Sequence, residues 1–215
     1  MARKTKEEAL KTRQLLIEAA ITMFATRGVA NTTLGDIADA AGVTRGAVYW
    51  HFSSKAEIFN AIWEQQPPLR AFIKDKVAVV AGSEPLLLLR EIFIASLQFI
   101  ARDARQCALL QILYHKCEFS ADMMSECEIR KKIFFNSQNI QRILEEGVKT
   151  LRLPSTLNID IAMIMLHGFF SGIIKNWLMN RESFNLCQQA PVLVDNILAT
   201  LQIQCEPPVM LEKAS

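Results

Sequence analysis

The chain has 215 residues, enough to bury a sizeable core as one large domain or as a small domain joined to a larger one. Hydrophobic residues make up 51% and the mean hydropathy is +0.17. The longest apolar run, residues 161–174, is broken by His167, Gly168, Ser171 and Gly172 and falls short of the roughly 18 residues of a membrane span, so no membrane partner is expected. The net charge of +2 is uneven, with a basic segment over residues 1–55 and a nearly neutral remainder, which fits a polyanionic partner.

Helical periodicity runs through the chain. Leu15, Leu16, Ala19, Ala20, Met23 and Phe24 recur as one helix face, and Arg27-Gly28 supplies a basic last turn and a stop. Thr33 with Asp36 predicts a capping box that opens a short helix to about Ala41, where Gly42 breaks it. Thr44 predicts the cap of a second short helix, to about His51. Ser54 with Glu57 predicts a further box, opening a helix with Ile58, Phe59, Ile62 and Trp63 inward, which Pro67-Pro68 ends or kinks sharply. Beyond it a loop at 82–85, an apolar helix over 86–100, and helices at 103–115, 121–151, 159–179 and 188–204 are expected. No segment alternates with period two. The predicted fold is all-α.

The segment from Leu34 to Phe52 has the pattern of a helix-turn-helix. Ala38 is small enough for the second helix to cross the first closely, and Gly42 supplies the left-handed turn. Ile37, Val43 and Val48 are expected to form its core. Thr44, Arg45, Gly46, Tyr49, Trp50 and His51 are then left on the second helix for contact with base edges and phosphates, Arg45 being suited to a guanine. Thr33 and Lys55, at the starts of flanking helices, are candidate phosphate contacts.

With those residues in place, TRGVANTTLGDIADAAGVTRGAVYWHFSSKAEIF closely resembles the N-terminal domain of the TetR family of regulators. ILYHKCEF at 112–119 and GIIKNWLMN at 172–180 extend the resemblance to the AcrR-like branch, repressors of multidrug efflux pumps. The resemblance implies a three-helix helix-turn-helix domain plus a C-terminal helical ligand-binding and dimerisation domain. The expected boundaries are a basic arm at 1–9, the DNA-binding domain at 10–55, the second domain at 56–204 with a connecting helix at 55–66, and a flexible tail at 205–215. It implies binding to double-stranded DNA at a palindromic operator by a homodimer, with Phe169, Ile173 and Trp177 at the dimer interface. A hydrophobic or amphipathic small molecule is the implied inducer.

The apolar residues of the second domain are read as pocket or as ordinary core and interface. Trp63, Phe99, Leu109, Ile112, Asn136, Ile140, His167, Phe170, Ser171 and Lys175 are the candidate ligand contacts, and His167, Ser171 and Lys175 share one helical stripe. Serine at 171 removes an acidic anchor that AcrR-like relatives can carry there. Cys107, Cys117, Cys127, Cys187 and Cys205 form no C-x-x-C pair, and the polar N-terminus carries no secretory signal, so reduced thiols and a cytoplasmic location are expected. No nucleophile elbow, phosphate loop or H-E-x-x-H occurs. Neither catalysis nor a metal or other cofactor is expected. The alternative readings are a repressor without an inducer and, behind it, an enzyme that processes a lipid or drug.

Overall fold

The computed structural model describes residues 6–79, 82, 84–134 and 137–203, and among these residues the chain forms eleven α-helices, one π-helical turn and no strand. α1 (Lys6–Arg27) already includes residues 6–9, so that part of the expected arm is helical; Arg3 and Lys4 lie outside the described residues. Glu7 and Glu8 in its first turn and Arg27 in its last complement the helix dipole. Its buried face is Leu16, Ile17, Ala20, Ile21 and Phe24, whereas Leu15 points to solvent, a correction to the predicted stripe.

α2 (Leu34–Ala40) starts at a reciprocal box: the Asp36 amide donates to the Thr33 hydroxyl oxygen (3.1 Å) while the Asp36 carboxylate accepts from the Thr33 amide (2.8 Å). The Thr33 hydroxyl, which donates to the Asp36 carboxylate (2.6 Å), and then the Thr33 amide hold the Asp36 carboxyl below its usual pKa. α3 (Arg45–His51) follows a four-residue turn in which Gly42 has φ +65° and the Val43 amide reaches back to the Ala38 carbonyl (3.0 Å). No atom lies within 4 Å of where a Cβ on Gly42 would stand. Gly42→Ala is therefore expected to cost only the left-handed backbone penalty, about 1–2 kcal/mol, readable as a lower urea midpoint with an unchanged slope.

α4 (Lys55–Glu64) is capped by Ser54, but the Glu57 carboxylate turns to the amide and hydroxyl of Ser53, so the predicted box is displaced by one residue. It ends before Pro67, as expected. α5 (Arg70–Ala78), which the sequence reading did not separate, follows the prolines. α6 (Pro85–Arg102) is the body's central helix and packs on α5, α9 and α11. α7 (Ala104–Gln111) passes into a π-helical turn (Ile112–Lys116), so the helix predicted over 103–115 changes its winding at Ile112.

The single long helix expected over 121–151 is two: α8 (Glu126–Ile133) and α9 (Ser137–Lys149). Phe134 turns to extended backbone, and the Ile133 carbonyl accepts from the Leu69 amide (2.8 Å), a tertiary partner in place of the next turn. α10 (Ile159–Met179) buries Ala162, Leu166, Phe170, Ile174, Trp177 and Leu178. At 21 residues it is long and apolar enough to cross a membrane by length and composition, which the interrupted run at 161–174 did not suggest. α11 (Leu186–Leu201) contains Pro191, which has no amide for the Cys187 carbonyl. Gln98 of α6 donates to that carbonyl instead (3.4 Å), and Arg90 forks onto Asp195 (2.6 and 3.0 Å), so α6 and α11 are joined at both ends of their contact.

Candidate nucleic-acid interface and ligand cavity

The helix-turn-helix is held from beneath. Ile37, Ala38, Val48 and Phe52 are buried together with Leu16, Ile17 and Phe24, while Val43 packs at the edge. Arg13 lies over the Phe52 ring (4.8 Å). Val48 is turned inward, while Thr44, Arg45, Gly46, Tyr49 and Trp50 are exposed. Tyr49 is 63% and Trp50 72% exposed, although both are large aromatic groups. His51 is half-buried and meets Trp50 edge to face (4.5 Å between ring centres).

Three candidates are committed locally. The Thr44 hydroxyl accepts from the Ala47 amide (3.2 Å), leaving its methyl and one lone pair outward. Lys55 donates to the carbonyls of Val29 and Ala30, stapling the start of α4 to the turn after α1. One ammonium donor is left over from those two bonds. Thr33 is likewise bound into its capping box. The Arg45 guanidinium rests over Gly35, where a Cβ would come within 3.0 Å of it, so the glycine makes room for the arginine to lie against α2.

The candidate ligand residues divide into groups. Ile140, His167, Phe170 and Ser171 line one narrow chamber of about 20 Å³, together with Phe93, Arg130, Phe134 and Leu166. Arg130, Phe134 and His167 also line an outer cleft of about 1050 Å³ between α5, α8, α9 and α10, so chamber and cleft meet at these three residues. Phe170 contacts Phe93 (5.4 Å) and Phe134 (6.0 Å, edge to face). The Ser171 hydroxyl donates to the His167 carbonyl (2.7 Å), and burial and Arg130 lower the His167 pKa, favouring the neutral ring.

The other candidates sit elsewhere. Trp63, Leu109 and Ile112 are core residues. Phe99 stacks on Phe72 between α5 and α6 (4.7 Å). The Lys175 side chain is exposed, and its carbonyl accepts from His115 Nε2 (2.9 Å). Asn136 lies outside the described residues. Arg130, the charged group of the chamber, was missed because it reads as the start of a solvated Arg-Lys-Lys run.

Of the dimer candidates, Trp177 is buried under Arg181 (4.9 Å), and Phe169 and Ile173 are half-buried. The opposite face of α10 carries exposed Ile161, Ile164, Met165 and Met179, with Gly168 and Gly172 between them. Nothing lies within 4 Å of a Cβ on either glycine. Burial raises the thiol pKa of Cys107 and takes Cys117 to about 11, so both are held as thiols. Among the described residues no group of three His, Cys, Asp or Glu is placed to hold a metal. Cys205 lies outside them.

Among the described residues, hydrogen bonds tie the helix-turn-helix and α4 to the rest of the body at three places. The Val29 amide donates to the Lys116 carbonyl (2.8 Å). Asn60 bridges the Asp122 carbonyl and the Met124 amide (3.0 and 2.7 Å). Arg105 of α7 grips the Glu18 carboxylate of α1 (2.9 and 3.0 Å) and the Gln66 oxygen just past α4 (2.8 Å). Gln66 is buried, so that last bond satisfies an oxygen that has little access to water.

Residues 16–62 match the family model described as bacterial regulatory proteins, tetR family, and residues 84–203 match the MAATS-type transcriptional repressor, C-terminal region. The chain is 52% identical over 198 residues to the probable acrEF/envCD operon repressor of Escherichia coli strain K12, covering 92% of this chain and 90% of that protein. The crystal structure of NalD, the secondary repressor of the MexAB-OprM multidrug efflux pump in Pseudomonas aeruginosa, superposes with a TM-score of 0.72 at 30% identity, covering 92% of this chain and 98% of that one. The complex of SmeT with triclosan gives 0.70 at 26% identity, covering 95% and 99%; SmeT is the repressor of a Stenotrophomonas maltophilia multidrug efflux pump. With its helix-turn-helix and its helical body both matched, the chain belongs to the TetR family of bacterial transcriptional regulators.

Proposed function

We propose that this regulator is a cytoplasmic repressor that binds a palindromic operator as a homodimer, controls a multidrug efflux operon, and leaves DNA when a hydrophobic or amphipathic molecule enters its body. The observation that carries the DNA-binding reading is α3, on which Thr44, Arg45, Tyr49 and Trp50 stand exposed together over a firmly packed base. Exposed adjacent aromatics beside an arginine are costly to leave in water and suited to phosphates, thymine methyls and a guanine edge. The efflux assignment draws on the relatives, whose names tie them to efflux or operon repression.

The dimer surface in this reading is the outer face of α10, Ile161, Ile164, Met165 and Met179, where Gly168 and Gly172 let a second helix approach closely. Phe169 and Ile173 flank that face, and Trp177 supports it from inside. Residues 10–55 act as the reading head and 56–204 as sensor and dimer body, joined through α4.

Release follows from a population shift. A ligand that binds better to a conformation with displaced α4 separates the two recognition helices from successive major grooves, and operator DNA weakens ligand binding by the same factor. The Arg105 bridge to Glu18 and Gln66 carries that movement to α1 and α4. Arg105→Met is expected to lower unfolding stability by about 1–3 kcal/mol, through the Gln66 oxygen it leaves unpaired. It is also expected to shrink the ligand's effect on operator affinity several-fold, read by titrating operator with and without saturating ligand.

The proposal as a whole is tested by a mobility shift of purified protein on its own upstream region with a panel of hydrophobic drugs. A specific complex that one or more drugs dissolve is expected. A specific complex indifferent to the whole panel would leave a repressor without an inducer, and no specific complex would overturn the DNA-binding reading.

A further inference from the structure

We infer that the ligand cavity selects an amphipathic anion, its acidic group held by Arg130 and its apolar body lying in the cleft against Phe134 and Pro68. This rests on the proposal that the cavity takes the releasing ligand, and it deepens that proposal by fixing the ligand's charge.

The charge distribution of the cleft carries the inference. Arg70 of α5 and Arg130, Lys131 and Lys132 of α8 line it, against one carboxylate among the described residues, Glu126. No carboxylate among the described residues lines the inner chamber, where Arg130 is the charged side chain. A cationic drug in this space would meet four like charges against the one carboxylate of Glu126, which is already paired with Arg130. An anion meets the reverse. Concave walls that carry one sign of charge also concentrate oppositely charged solutes.

Arg130 is prepared for the role. It stands where the chamber and the cleft join and lines both. It lies over the Tyr114 ring (5.8 Å), a contact that orients the guanidinium without using its N–H donors. Its ion pair with Glu126 is long (3.3 Å) and partly exposed, the kind that contributes little and exchanges readily for a better acceptor. A carboxylate or sulfonate accepts two parallel N–H bonds from arginine, which a neutral ligand does not reproduce.

The apolar half is equally defined. A cleft of about 1050 Å³ is large enough for a drug-sized body. The chamber's 20 Å³ admits little more than one water, so the body lies outside it. Phe134 and Pro68 offer the apolar wall there, and Phe170 backs Phe134 edge to face. Neutral His167 adds a hydrogen-bonding ring at the junction without adding charge.

The test compares two fluorescent probes with the same aromatic body: anilinonaphthalenesulfonate, an anion, and N-phenylnaphthylamine, its uncharged parent. Each is titrated into the intact protein, alone and bound to its operator. The sulfonate is expected to bind about tenfold more tightly than the parent, at one site per chain, and to release the operator. Arg130→Gln is expected to weaken the sulfonate about tenfold and the parent less than twofold, while Arg130→Lys keeps most of the preference. Melting curves of both variants check folding, and the parent probe's affinity reports whether the cleft is intact.

Equal affinity of the two probes for the unaltered protein would overturn the inference, as would a parallel loss of both in Arg130→Gln or no loss of the sulfonate. Operator release by the parent but not the sulfonate would overturn the anion preference and leave the ligand-released repressor standing. Operator release by neither probe, with no binding of either, would count against both.

Discussion

Arg45→Ala is expected to reduce operator affinity by about 1–3 kcal/mol at each half-site, so that a dimer reading two half-sites loses roughly 30-fold or more, with the melting temperature essentially unchanged. The separation of the two effects follows from the geometry. Arg45 is exposed and forms no part of the packed base built from Ile37, Ala38, Val48 and Phe52. Its guanidinium lies against Gly35 and near the Asp36 carboxylate, which gains from its charge, and it turns toward a base through torsions that are free in solvent. The loss is expected on the specific operator and to be much smaller on random DNA, because a base contact carries sequence information and a phosphate contact does not. Equal losses on both would reassign Arg45 to the phosphates; an unaltered specific complex would remove it from the interface.

Ile164→Asp is expected to have the other large effect, converting dimer to monomer and abolishing specific operator binding. Ile164 is 68% exposed in the single chain, so aspartate there costs the folded chain little. At the proposed helix-helix interface the same carboxylate would be desolvated without a partner. The penalty of about 3–5 kcal/mol for an uncompensated buried charge then falls on the dimer alone. Sedimentation at micromolar protein reads the oligomeric state, and circular dichroism confirms that the helices persist. Phe169→Ala, beside the face, is expected to be milder. A dimer that survives Ile164→Asp would move the interface off this face of α10.

How much of this was legible in the sequence depended on whether the signal was local. Thr33 with Asp36, Thr44 and Gly42 could be read because a cap or a left-handed turn is decided within four residues, and each is found in place. On α3, Tyr49 and Trp50 lie one and two positions past inward Val48 and so were legible as outward, and Thr44 and Arg45 are found exposed at its start. The separation of α8 from α9 could not be read: residues 121–151 keep helical periodicity, but the Ile133 carbonyl is claimed by the Leu69 amide, 64 positions earlier in the chain. α5 was hidden because it is short and has no side-chain cap.

The candidate site shows the same division. His167, Phe170 and Ser171 were legible as polar and apolar groups close together on one helix, and they meet in one chamber with Ile140 of α9. Trp63, Leu109 and Ile112 have the same composition signal and form core instead, since a large apolar residue reads alike in either setting. Trp177 illustrates the difficulty in α10, which has two apolar faces; only the packing shows that Trp177 belongs to the inner one and Ile164 to the outer. Arg130 was hidden among neighbouring cations, and its place beside Phe134 and His167 is a product of the tertiary fold.

The most direct test of the central claim is footprinting of the intact protein on total DNA from its own source, with and without a hydrophobic compound. The account predicts protection of a palindromic site, with half-sites about one helical turn (~34 Å) apart, upstream of efflux-pump genes, and loss of that protection when the compound is present. Protection scattered without dyad symmetry, or a palindromic site still protected at every compound tested, would contradict it.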